Sequence, residues 1–139
     1  MIPKFPEFKK IELLDKETVE VFTKKFPPYS DYNFLSIWSW DVKGEVGISQ
    51  LNGNLIVRFN DYLTREPFYS FIGTENVNET AHLILDIAKV LGVKVELKLV
   101  PEETAKLIND NHLLVEEDRD NFDYICDIHE LKKFEGSNF

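Results

Sequence analysis

A chain of 139 residues and 16.3 kDa has room for one domain and not for two of ordinary size. Hydrophobic residues at 43% and charged residues at 29% match soluble globular proteins, which excludes a disordered tail, a collagen-like fibre and a disulfide scaffold. Sixteen Lys and Arg against 25 Asp and Glu leave a net charge of −9, so direct nucleic-acid binding and charge-driven docking on anionic lipid are not expected.

No apolar run approaches the roughly 20 residues of a membrane span, and the opening MIPKFP lacks the apolar segment of a signal peptide. Cys126 is the one cysteine and has no internal partner, which fits a reducing compartment. These features predict one cytoplasmic domain without a transmembrane segment.

Residues 9–14 (KKIELL) read as a short strand. Asp15 is placed to cap a helix over residues 16–26, in which Val19, Phe22 and Phe26 fall at helical spacing. Lys24 and Lys25 suit the negative end of its dipole, and Pro27-Pro28 stop it. The aromatic stretch 29–40 (YSDYNFLSIWSW) puts Phe34, Ile37 and Trp38 on one face of a second, short helix capped by Ser30 or Asp31. Core packing is the expected role of that cluster, ahead of a ligand-stacking wall.

Three strands follow, over residues 45–51, 54–59 and 67–72. Asn52-Gly53 marks a tight hairpin between the first two, so an antiparallel meander is predicted. Residues 79–91 form the longest helix, with Asn76 or Asn78 as its cap and Glu79 as a capping partner. It carries one polar stripe of Glu79, His82, Asp86 and Lys89, so it should lie flat on a sheet, and Gly92 ends it. Residues 93–100 alternate cleanly as a half-exposed strand. Pro101 with Glu102 and Glu103 starts a helix running to Ile108. Residues 112–116 and 122–128 read as a final strand pair joined by the charged 117–121, and a helical turn runs from His129 to Phe134. The predicted class is a mixed α/β single domain over residues 1–139, in the order β-α-α-β-β-β-α-β-α-β-β.

That order resembles the GNAT (acyl-CoA N-acyltransferase) fold. The resemblance implies that the turn after the fourth strand, residues 71–78, would offer free N–H groups and a helix dipole to the pyrophosphate of coenzyme A. Of the family's Arg/Gln-x-x-Gly-x-Gly/Ala fingerprint only Gly73 is present. Glu75 adds negative charge where the pyrophosphate would sit. The turn at Gly73, Thr74 and Asn76 therefore reads as a degenerate donor site, and no cofactor is expected.

Residues 29–38 (YSDYNFLSIW), 117–124 (EDRDNFDY) and 129–136 (HELKKFEG) resemble the domain that ends bacterial phosphatidylglycerol lysyltransferases, a family that joins two GNAT-like halves in tandem. The chain is similar to the first half only. The resemblance implies a half-site that forms one wall of a substrate cleft in an aminoacyltransferase, with a second GNAT-like half or another copy of itself as partner. A stand-alone acyltransferase with an atypical donor site at residues 73–78 and a small dimerising interaction domain are the alternatives.

Asp118, Arg119, Asp120 and Asp123 are placed to form a polar network around Tyr124. Tyr124, Asp123 and Arg119 are thus the candidate catalytic residues, while a charged hairpin pinning the last strands is the plainer reading. His82, His112 and His129 show no metal-ligand spacing, and no metal is expected. Cys126 alternates with Tyr124 and Ile128, as a buried small hydrophobe would.

Overall fold

The computed structural model describes residues 1–41 and 43–133. At its centre is a four-stranded antiparallel sheet in the order β1-β2-β3-β4. The strands are β1 (Lys9–Lys10), β2 (Gly47–Leu51), β3 (Asn54–Asn60) and β4 (Pro67–Ile72). Asn52 and Gly53 both take positive φ, 52° and 81°, the geometry of the two-residue turn that matches strand twist, and Leu51 pairs with Asn54 across it. The predicted meander is present, and the class is mixed α/β as expected.

The helices are α1 (Lys16–Thr23), α2 (Phe34–Ser39), α3 (Val77–Val90), α4 (Glu102–Ala105) and α5 (Ile128–Lys133). Strand alternation sends Leu55 and Val57 of β3 to one face and Ile56 to the other, all fully buried. The first face packs against Val19, Phe34 and Ile37 of α1 and α2. The second packs against Val77, Ala81, Ile84 and Ala88 of α3, with Phe5, Phe8 and Leu97 around them. The sheet is therefore the middle of three layers. Gly92, at φ 67°, ends α3, with the Val93 N–H returning to the Ala88 carbonyl at 2.9 Å.

Several predicted elements differ. The first strand is two residues long, because Leu13–Asp15 turns into a 3-10 helix. Asp15 stands at the N-cap position of α1, but its side chain makes no cap bond there. Its carboxylate accepts from the Glu12 N–H at 3.0 Å and from Lys9 Nζ at 2.8 Å, and so closes the preceding turn. Asn33, not Ser30 or Asp31, caps α2 by accepting from the Leu35 N–H at 2.9 Å. Ile37 and Phe34 are buried, but Trp38 is 40% and Trp40 77% exposed, so the tryptophans are not core residues. α3 begins at Val77 with Asn76 in the left-handed region at φ 45°, and no Asn76 side-chain cap forms.

Residues 93–100 are not a strand. The Glu96 N–H turns back to the Lys94 carbonyl at 2.9 Å, and Leu99 sits at φ 56°, so the backbone leaves the extended region twice. One bridge remains, Tyr69 to Leu97, with the Lys98 N–H donating to the Tyr69 carbonyl at 3.1 Å. α4 stops at Ala105, short of the predicted Ile108.

Residues 112–116 and 122–128 form no strand pair either. Their intervening acidic residues satisfy local groups instead: Arg119–Asn121 makes a 3-10 turn, and Asn121 Nδ2 donates to Asp118 Oδ2 at 2.8 Å. An isolated two-stranded ribbon is marginal in water, and no sheet surface covers this one. α5 starts one residue before the predicted turn. Phe134 and Gly136 lie outside the described residues.

Among the described residues no helix is long and apolar enough to cross a membrane. No group of three metal-ligating side chains occurs among them.

Candidate functional site

The β4–α3 turn is built by buried polar side chains from three elements. Asn54, fully buried at the start of β3, donates through Nδ2 to the Glu75 carbonyl at 2.6 Å and to Thr80 Oγ1 at 3.0 Å. Its Oδ1 accepts from the Glu75 N–H at 3.2 Å, so one side chain satisfies both backbone groups of Glu75. Thr104 on α4, also fully buried, clamps Gly73 in the same manner. Its Oγ1 accepts from the Gly73 N–H at 3.1 Å and donates to the Gly73 carbonyl at 2.9 Å. Buried backbone groups need such partners.

Gly73 is required by close approach. A Cβ there would lie 2.5 Å from Asn54 Cγ and 2.7 Å from Asn54 Cβ. The space in front of the turn is small. The hollow between Gly73, Thr74, Glu75 and α1, lined by Phe22, Lys25 and Phe26, amounts to about 50 Å³. Small-molecule pockets run from about 300 Å³ upward.

The candidate catalytic residues lie elsewhere and are not brought together around Tyr124. Tyr124 is 99% exposed. Arg119 Nε stands 3.7 Å from Glu117 Oε2 in an exposed pair, which contributes little to stability. Asp123 reaches across the chain instead, and its Oδ2 accepts from the Ser30 N–H at 3.0 Å. That bond caps the 3-10 turn Ser30–Tyr32 and brings a second carboxylate near Asp31. Burial first, and the Asp123 charge second, hold the Asp31 carboxyl above the usual aspartate range. Cys126 is exposed, so the expectation of a buried cysteine is corrected: it needed the strand that does not form.

No family model, curated protein or solved structure matches the chain. Function must then be read from the residues themselves.

Two further features stand near the Asp123 tether. Tyr32, buried beneath the turn, donates its hydroxyl to Ser70 Oγ at 2.6 Å, and burial drives the phenol pKa far upward. Beside it a groove of about 390 Å³ opens between α1 and residues 26–35. Its floor is Phe26, Pro27, Pro28 and Tyr29, and Lys16 and Lys24 stand on its rim with Glu20 between them. On the opposite side of the molecule, Asn78 and His82 of α3 hold the loop after α4. Asn78 Oδ1 accepts from the Asn109 N–H at 3.1 Å, and His82 Nε2 lies 2.9 Å from Asp110 Oδ2.

Sequence reasoning missed Asn54, Thr80 and Thr104. Each is a single polar residue in an otherwise apolar or loop context, and its partner lies more than 20 residues away, so no local pattern marks it. The groove was missed for a related reason, since aromatic residues at helical spacing read equally well as filler.

Proposed function

We propose that this chain is a GNAT-like lobe without a donor site of its own, serving as one wall of a substrate cleft in an aminoacyltransferase-type protein similar to phosphatidylglycerol lysyltransferases. The observation that carries this reading is the closed β4–α3 turn. A donor turn of the GNAT kind works by offering free N–H groups to pyrophosphate. Here the Gly73 and Glu75 N–H groups are spent on Thr104 and Asn54, and the hollow that Phe22 and Phe26 line in front of the turn holds only about 50 Å³.

Support for a two-lobed unit comes from residues 112–128. Leu114, Phe122, Tyr124, Ile125 and Ile128 stand exposed along an arm that leaves the sheet after Leu113. Bare apolar side chains in series mark a surface that another body covers. The resemblance of residues 29–38, 117–124 and 129–136 to the lysyltransferase-type domain supplies the class of that body and of the chemistry.

Calorimetric titration of the chain with acetyl-CoA tests the reading. The expected result is no saturable heat. Binding in the micromolar range would overturn the donorless lobe and favour a stand-alone acyltransferase.

A further inference from the structure

The arm and the groove are complementary surfaces carried by the same chain. Residues 112–128 hold six carboxylates, at positions 116, 117, 118, 120, 123 and 127, against Arg119 alone, a net of −5. Lys16 and Lys24 rim the aromatic and proline floor of the groove with Glu20 paired between them, a net of +1. A strongly acidic arm thus meets a rim of opposite net sign, and bare apolar side chains meet an unfilled apolar floor.

The tether sets the geometry. Asp123 is bonded to Ser30, which lies in the chain between the groove-lining residues Tyr29 and Tyr32. The next two residues nevertheless leave the surface, Tyr124 at 99% and Ile125 at 96% exposure, so the arm passes the mouth of its own groove without entering it. Both halves of an interface are thereby displayed side by side and unused, as an isologous two-fold pair requires.

We propose that two copies exchange arms, the Tyr124-Ile125 segment of each entering the groove between α1 and residues 26–35 of the other. The inference rests on the reading of residues 112–128 as a joint, and it names a second copy as an occupant of that joint. Charge bears on the choice: two chains of −9 repel as wholes, so association depends on the lysine rim meeting the acidic arm.

Cys126, the one cysteine and itself exposed, carries a photo-crosslinker next to the inserting residues without further mutation. Labelled and isotopically heavy chains are mixed, and sedimentation and crosslink mapping are read on the same samples. Two variants at exposed positions direct the test, Ile125→Asp in the arm and Leu35→Glu in the groove lining. Each alone should weaken association at least about tenfold. Their mixture should recover part of it, with crosslinks running from Cys126 of the Leu35→Glu chain into residues 16–35 of the Ile125→Asp chain and not the reverse.

A single-chain mass up to submillimolar concentration overturns the exchange, as do crosslinks confined to one isotopic copy or directed elsewhere. None of these results touches the acetyl-CoA titration, so failure of the exchange and failure of the donorless-lobe reading are separate outcomes.

Discussion

Replacing Asn54 by Ala tests whether the β4–α3 turn is held by one side chain. The substitution removes three hydrogen bonds, two to the backbone of Glu75 and one to Thr80 Oγ1. Each is worth about 1 kcal/mol net. Glu75 is exposed, so water can take over part of its backbone, whereas the fully buried Thr80 keeps only its 3.2 Å contact with Asn52 Nδ2. The expected loss is about 2–3 kcal/mol. In urea unfolding followed by far-UV circular dichroism the midpoint should fall by about 1–2 M at unchanged slope, and Tm by roughly 10 °C. A loss below about 1 kcal/mol would refute the assignment of the turn to Asn54. A cycle with Gly73→Ala sharpens the test, because the added Cβ collides with Asn54 Cγ and Cβ. Removing Cγ relieves part of that collision, so the double variant should be less destabilised than the two losses together. Additivity within about 0.5 kcal/mol would contradict the geometry.

Tyr32→Phe should cost about 1 kcal/mol at neutral pH by stranding Ser70 Oγ. Burial raises the folded pKa of Tyr32, so its contribution is full below the unfolded value near 10 and is lost as pH rises above it. The variant should lack that alkaline slope in unfolding curves taken from pH 8 to 11, and an unchanged slope would count against the burial. The folded pKa of Asp31 is also raised, so its contribution is present below the unfolded value near 3.9 and lost as pH climbs through the folded one. Asp31→Asn should therefore stabilise the protein at pH 7, with the gain vanishing below about pH 4; a gain that persists in acid would refute it. A chain ended after Leu113, the last of the described residues packed on either core cluster, should unfold cooperatively within about 1 kcal/mol of the full chain. Loss of a cooperative transition would show that the arm belongs to the fold.

The parts legible in the sequence were those whose partners lie close by. Asn52-Gly53 demands positive φ at two successive residues and so announces the β2–β3 hairpin, and the polar stripe of α3 fixes which face meets the sheet. Residues 93–100 failed because alternation reports which side chains seek burial and not whether a strand edge is there to receive the backbone. Leu97 does reach the second cluster, as the pattern requires, while Val95 is turned out to 54% exposure by the tight turn beneath it. The pair 112–116 and 122–128 failed in the same way, with no neighbouring strand at all. Tyr32 was one aromatic among many, and nothing local in the sequence points from it to Ser70, 38 residues on.

The N-terminal strip carries a consequence for biosynthesis. The Phe5 N–H donates to the Gln50 carbonyl at 2.9 Å, the Gln50 N–H donates to the Pro3 carbonyl at 3.0 Å, and Gln50 Nε2 reaches the Ile2 carbonyl, 48 positions back, at 2.7 Å. On a ribosome adding about 5–20 residues per second, residues 2–8 emerge roughly 2–10 s before this partner exists. Ile2, Phe5 and Phe8 are thus exposed on the nascent chain until β2 appears, although the hairpins themselves zip within microseconds once complete. Residues 2–8 thus wait for a partner that is translated after them, which makes this strip a natural ligand for whatever guards emerging chains.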